Sequence, residues 1–525
     1  MTRSDYDTGD PPPGSRSLSA QRVTVRRVEH ADLTRTPTAP ASPSRAGDAA
    51  AAVDGLLLDP AQRRVVELAE GRSAAVLGAP GTGKTTLAVE VVADRVLGRA
   101  YAPEHVLVLA SSRRAATALR DRIALRLGVP TNGPLARTAN SVAFQVVRGA
   151  LADADPTLLT GGEHDRIIAE LVDGAIDDGT GPAWPDALGP EVRRLRGFRT
   201  ELRDLLMRAT EHGIGPGDLR RLGASAGVPA WEAAADFAEE YADVKDQFRD
   251  ARFDAAELLA FGAAVVGESV REPEALAALG SLAEARCIVV DDAQDATEGT
   301  IALLRAFVRR GSSVVALGDP DVAANAFRGG RADLLGGLGP ALGVADVEQV
   351  VLEHARRGRP EIHEVVRAAT SRIGTALGGP QRAARLVAEP DGADGADGIA
   401  PIVRIDAPSH AAECADIAAL LRERHLLDGV PWSRMAVVLR SGGEIAAVER
   451  ALSVADVPTR TSAARSALRD EAAAALLLRA ASYVVGREPL TAELAGDLLA
   501  GPLGRLDGVG LRRLRLALRR EELAA

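Results

Sequence analysis

The sequence predicts an α/β protein built on a parallel sheet, and three observations carry that prediction. Short apolar runs recur at Ala74–Leu77, Val106–Leu109, Ile288–Val290 and Ser313–Leu317, the pattern of strands buried on both faces. Segments of helical period follow the first two runs, as crossovers between parallel strands require. Gly-rich or acidic residues come directly after the first, third and fourth runs, where the carboxyl edge of such a sheet would lie.

Residues 1–50 are rich in Pro, Ser, Thr and Arg and lack an apolar core, so they are expected to form a disordered tail and not a secretory signal. Leu58-Asp59-Pro60-Ala61-Gln62 leads into an amphipathic helix through Val65, Val66 and Leu68. The first strand breaks at Gly78, and helical spacing resumes at Leu87, Val91 and Val92. The second strand is followed by a helix from about Arg114 to Arg126. From 146 to 260 the pattern is helical, with Gly and Pro punctuation, and reads as an insertion. The first domain is therefore expected to be discontinuous, 51–145 plus 261–345. Residues 390–399 read as a low-complexity surface loop. Ile402–Ile405 and Met435–Leu439 read as strands separated by a helix over 410–425, which predicts a second, partial α/β domain over 346–465. Residues 466–525 are again helical and are expected to start a further helical subdomain.

The chain has 525 residues, 46% of them apolar and 26% charged. That composition excludes a wholly disordered, collagen-like or membrane-embedded chain, and no uncharged apolar run approaches the roughly 18 residues of a membrane span. Two cysteines, Cys287 and Cys414, cannot form a disulfide framework, and no histidines or acids stand at zinc-ligand spacing beside them. A reducing, cytoplasmic setting is expected. The net charge of −10 argues against a uniformly basic surface but leaves local basic stripes open. The Arg-rich helices at 191–221 and 501–520 fit a DNA backbone or a solvated face equally well. Only Lys84 and Lys245 are lysines.

Lys84 lies in Gly78-Ala79-Pro80-Gly81-Thr82-Gly83-Lys84-Thr85, the phosphate-binding pattern G-x-x-x-x-G-K-[ST] placed between strand and helix. Its glycines turn backbone N–H groups toward phosphate oxygens, and the helix N-terminus adds positive potential. Lys84 would reach the β- and γ-phosphates of ATP and Thr85 a Mg2+ ion, with Thr86 beside them. Asp291, first of Asp291-Asp292-Ala293-Gln294-Asp295 after a strand, is the second candidate for the metal.

Together these residues resemble the superfamily 1 DNA helicases of the UvrD, Rep and PcrA type over about 56–465. Gln62 falls at the family's adenine-recognising position. Ser112 and Arg113, and Asn140 in Thr138-Ala139-Asn140-Ser141, fall in its two early DNA-contacting motifs. Phe253-Asp254 to Leu259 is similar to the segment returning from the helical insertion. Asp291–Asp295 resembles the D-E-x-Q-D box, Gly318-Asp319-Pro320-Asp321 through Phe327-Arg328-Gly329 the third motif, and Leu352–Arg357 the fourth. The resemblance implies a RecA-like ATP-binding domain with a helical insertion, followed by a second, incomplete RecA-like domain. It also implies an ATP- and Mg2+-dependent motor on single-stranded or end-containing DNA.

Three departures touch the chemistry. The general-base glutamate is Asp292, one methylene shorter. The third-motif glutamine is Val322, which cannot replace its hydrogen bond, and the neighbouring stacking aromatic is Asn325, leaving Phe327 to stack on a base. The adenine-stacking tyrosine is Arg356, which can still stack, while Arg357 keeps the γ-phosphate position. More narrowly, the chain resembles the AdnA-type subunits of actinobacterial AdnAB helicase-nucleases, which implies a second helicase-nuclease subunit as partner. Two functions follow: a DNA-repair motor with weakened hydrolysis, or a non-catalytic ATP- and DNA-binding structural subunit. A P-loop regulatory ATPase unrelated to DNA would leave Gln62, Asp319 and Arg357 unexplained. No counterparts of the fifth and sixth motifs follow residue 440, so the chain is expected to be the N-terminal portion of a longer protein or a truncated product.

Overall fold

The computed structural model describes residues 24–25, 58–129, 131, 133–151, 156–159, 161–246, 251–326, 329–374, 379–387, 402–461, 472–486, 489–501, 504 and 506–524. The chain divides into two compact units, Pro43–Ile402 and Val403–Ala525 with Met1–Ser42. All but two residues of the expected tail, and the whole 390–399 loop, lie outside the described residues.

The larger unit is organised by six parallel strands: β1 (Ser73–Gly78), β2 (Val106–Leu109), β3 (Ala136–Arg137), β4 (Cys287–Val290), β5 (Ser313–Gly318) and β6 (Val347–Leu352). Their spatial order is β3-β2-β4-β5-β1-β6. Register is fixed by pairs such as Ala74↔Val315, Val76↔Val350 and Val108↔Val289. Because side chains alternate along a strand, β1 sends Ala74 and Val76 into one core layer and Ala75 and Leu77 into the other. The first layer is closed by helices α1 (Pro60–Val66), α2 (Lys84–Ala93) and α3 (Arg113–Leu127), through Val65, Leu87, Val91, Leu119 and Ile123. The second is closed chiefly by α4 (Ala139–Ala150) through Val142 and Val146. Each fully buried aliphatic side chain of these layers contributes about 1.5–3 kcal/mol.

The helical insertion builds its own core. Helices α5 (Gly161–Asp178), α6 (Arg196–Glu211), α7 (Pro216–Ala226) and α8 (Pro229–Asp246) bury Ile167, Ile168, Leu202, Leu206, Leu219, Phe237 and Tyr241. Its neck is a two-residue parallel ladder in which Thr157–Leu158 meets Arg252–Phe253. The chain then enters α9 (Ala255–Glu268), whose start is secured by a reciprocal cap between Asp254 and Glu257. Lys245 of α8 ion-pairs with that same Glu257, tying the end of the insertion to the returning helix. Helix α9 and α10 (Glu298–Arg309) complete the second layer of the sheet core through Leu258, Leu259, Ile301, Leu304 and Phe307.

Two sequence expectations are corrected here. The boundary at 345/346 assigned Val347–Leu352 to the second domain without reading a strand there, but these residues form a strand that pairs along its whole length with β1. Its buried face, Val350 and Leu352, supplies the core layer that β1 leaves open on that side. Likewise, the insertion expected from 146 to 260 is narrower, because Val146, Val147, Leu258 and Leu259 belong to the sheet core.

In the smaller unit, Val403–Arg404 pairs in parallel with Thr24–Val25. Helices His410–Leu426 and Ile445–Val454 bury Cys414, Ala418, Val448 and Leu452 between them. Met435–Leu439, expected as a strand, has no ladder partner among the described residues. Val437 and Leu439 pack against this small core while Val438 is exposed, so the alternation of a strand is present without the pairing. Helices Ala472–Val484, Ala492–Ala500 and Gly508–Ala524 follow. No helix among the described residues is long and apolar enough to cross a membrane.

Candidate nucleotide-binding site

The carboxyl ends of β1, β4 and β5 meet at one place, and each delivers polar side chains there. From β1 comes the loop Gly78–Thr85. Gly81 adopts φ +86°, a left-handed conformation that favours glycine, and a Cβ there would stand 2.9 Å from the carbonyl oxygen of Arg357. Gly83, also at φ +86°, forms the N-cap of α2, leaving the first N–H groups of that helix free to meet an anion. Thr82 is fully buried and its hydroxyl donates to Ala79 O at 2.8 Å. Lys84 Nζ donates to Gly78 O at 2.6 Å and Ala79 O at 3.2 Å, folded over the loop. Pro80 is exposed at the loop's crest. Thr86 Oγ1 accepts from Arg122 at 2.8 Å, joining α2 to α3.

β4 delivers Asp291 and Asp292. Asp291 is 8% exposed, and its Oδ1 is buried with no hydrogen-bond partner among the described residues. Burial pushes its carboxyl up to about 6; the Asp292 charge adds to this, and a hydrogen bond from Thr85 opposes it. Asp292 takes φ +54°, a strained conformation for a residue with a Cβ and of the kind that clusters at functional sites. Gln294, almost fully buried, donates from Nε2 to Asp292 Oδ1 at 3.3 Å and accepts on Oε1 from the Asp319 N–H at 3.0 Å. The Asp box is thereby bonded to the end of β5. Asp295 Oδ1 in turn accepts from the N–H groups of Ala324 and Asn325 at 3.2 Å.

The charges act on one another. Burial lowers the Lys84 ammonium below its usual range, the carboxylates of Asp319, Asp292 and Asp291 offset this, and Arg357 adds to the lowering. Lys84, Asp291, Asp292, Asp319 and Arg357 therefore form one electrostatic cluster. Arg357 reaches it because β6 lies beside β1, and the Arg356 N–H donates to Gly81 O at 3.0 Å. The Arg356 side chain pairs with Asp59 at 3.0 Å. Asp59 also caps α1, while Gln62, third in that helix, returns a bond to the Asp59 N–H and donates to Thr82 O at 3.1 Å. The far end of α1 is held by Arg95 and Arg99, which donate to Val66 O and Leu68 O. Gln62 is thus clamped against the loop Gly78–Thr85.

An orphaned carboxylate oxygen beside a threonine hydroxyl suits a hard cation bound through oxygen. Asp291 and Thr85 would hold Mg2+, and no richer cluster of His, Cys, Asp or Glu occurs among the described residues.

Ser112, Arg113 and Asn140 lie apart from this cluster. Ser112 follows β2 and caps α3 by accepting from Ala115 N at 3.1 Å, leaving Arg113 exposed. Asn140 is in the first turn of α4, after β3. Phe327 lies outside the described residues. Sequence reasoning gave Asp59, Gln294 and Gln381 no role of their own. The cap spacing of Asp59 and Gln62 was a usable signal, whereas Gln381 carried none, since its partners are some 60 residues away in the chain.

A parallel α/β sheet with this loop at its carboxyl edge is the fold of a RecA-like helicase motor domain. The chain belongs to the UvrD/REP helicase N-terminal domain family, whose model matches residues 58–338, more than half of its length. Members are DNA helicases driven by ATP with Mg2+. None of the curated proteins matches the chain.

Proposed function

We propose that this chain is an ATP-dependent translocase or helicase motor subunit on single-stranded or end-containing DNA, acting in cytoplasmic DNA repair or recombination with weakened hydrolysis. The observation that carries the reading is the single charge cluster of Lys84, Asp291, Asp319 and Arg357 around the loop Gly78–Thr85. In this reading Gly78, Ala79, Pro80, Gly81, Thr82, Gly83, Lys84, Thr85 and Thr86 cradle the phosphates. Gln62 and Arg356 flank the adenine, and Asp291 with Thr85 holds Mg2+, which would polarise the phosphate being transferred. Asp292 orients the attacking water from a longer reach, and Arg357 balances charge on the terminal phosphate. Ser112, Arg113, Asn140 and Phe327 contact the DNA. A second RecA-like domain after β6 and a second helicase-nuclease subunit complete the motor.

The second reading is a structural subunit that binds ATP and DNA without turnover. It is favoured by Val322, an apolar side chain 43% exposed beside Asp321, and by the short Asp292. ATP hydrolysis measured with and without single-stranded DNA, beside Lys84→Ala and Val322→Gln, separates the two. Turnover stimulated by DNA and abolished in Lys84→Ala supports the motor. ATP binding without turnover, partly restored by Val322→Gln, supports the structural subunit. Failure to bind ATP overturns both.

A further inference from the structure

Gln381 belongs to none of the motifs read from the sequence, yet its side chain is one of the most deeply buried polar groups, 1% exposed. It stands on the turn Pro380–Ala383, which leads into the strand Arg385–Leu386. That strand pairs in parallel with His354–Ala355, directly before Arg356 and Arg357. Gln381 Nε2 donates to Asp319 Oδ1 at 3.3 Å and to Asp321 Oδ2 at 3.1 Å. Arg382 Nε donates to the same Asp321 Oδ2 at 2.7 Å. One amide therefore bridges two carboxylates, beside the Asp321 N–H that also donates to Asp319 Oδ1 and the Arg382 guanidinium that neutralises Asp321.

Two further facts give the bridge a direction. Asp319 is the carboxylate whose charge acts most on the Lys84 ammonium, which is itself held on Gly78 O and Ala79 O, so fixing Asp319 fixes the field that Lys84 feels. Gln381 Oε1 is buried without a partner among the described residues, an arrangement that is unfavourable and that shape alone does not require. Val322, next to Asp321, has no donor or acceptor to offer.

We propose that Gln381 is a positioning residue for the terminal phosphate: its amide locks Asp319 and Asp321, ties them to the segment carrying Arg357, and so makes the site distinguish ATP from ADP. This rests on the nucleotide-binding reading above and deepens it. Gln381 joins the end of β5, through Asp319 and Asp321, to the strand that pairs with His354–Ala355 ahead of Arg357.

The test is calorimetric titration of the full chain with Mg·ATP and with Mg·ADP, for wild type, Gln381→Met and Gln381→Glu, with thermal melts of each. Met keeps the length and removes both polar groups; Glu keeps the shape but sets a third carboxylate against Asp319 and Asp321, so its loss should equal or exceed that of Met. Both variants are expected to lose about tenfold in ATP affinity, the size of one hydrogen bond, and less than about twofold in ADP affinity. Should Met prove unfolded, Glu alone decides. Equal losses for the two nucleotides, or no loss in a folded variant, would overturn the assignment. A wild-type chain that binds neither nucleotide would overturn the nucleotide reading and this inference with it, and is told apart from failure of Gln381 alone because the wild type itself fails.

Discussion

Replacing His164 by Phe should remove a pH dependence that the helical insertion carries. His164 is 3% exposed in α5, and its ring stacks on Tyr241 of α8 with centroids 5.4 Å apart. Burial drives its pKa down to about 4, and the charges of Arg203 and Lys245 add to this while Glu257 and Asp165 oppose it. The unfolded chain titrates this group near 6.5. Between those values the unfolded state binds a proton that the folded state refuses, so the stability present above about 6.5 is lost as pH falls toward 4. A shift from 6.5 to about 4 corresponds to roughly 3 kcal/mol when complete, of which about 2 kcal/mol is lost by about pH 5. Phe keeps the stacked ring and cannot titrate. Urea unfolding followed by circular dichroism at about pH 7.5 and pH 5 should show that the variant is less acid-sensitive than wild type by about that amount. Parallel pH dependence in the two proteins would refute the argument, because it would mean that His164 is protonated in the folded state.

Other substitutions read out the nucleotide site. Gly81→Ala should weaken Mg·ATP binding at least about tenfold, because φ +86° costs a Cβ-bearing residue about 1–2 kcal/mol and the new methyl would meet Arg357 O at 2.9 Å; titration calorimetry checks it, and unchanged affinity would contradict it. Gln62→Ala should cost about 1 kcal/mol of stability by breaking the reciprocal cap with Asp59 and the bond to Thr82 O. It should also narrow the preference for ATP over GTP in competition binding, whereas an unaltered preference would remove Gln62 from the adenine site.

The main sheet was legible because β1, β2, β4 and β5 are short runs of apolar residues buried on both faces, which no solvent-exposed element would tolerate. The loop Gly78–Thr85 was legible as a turn between strand and helix because Gly81 and Gly83 take left-handed φ values that favour glycine. β6 was harder to place: Val347–Leu352 carries Glu348 and Gln349 and is only partly buried, as an edge strand can be. What assigns it to the first sheet is pairing with a strand some 270 residues earlier, and periodicity holds no record of that. Met435–Leu439 shows the converse, with alternation enough to read as a strand and no neighbour among the described residues to pair with. In the site, Asp291 and Lys84 followed from spacing. The buried bridge from Gln381 to Asp319 joins separate turns through side chains alone, so no local pattern announces it.

The most direct test of the central claim is motion. Arrival of the full chain at a fluorophore on the end of single-stranded DNA, recorded after mixing with Mg·ATP, should give a lag that lengthens with DNA length. Lys84→Ala should give no arrival at all while still binding the DNA. Arrival kinetics independent of DNA length, or equal in wild type and Lys84→Ala, would contradict an ATP-driven motor built on this loop.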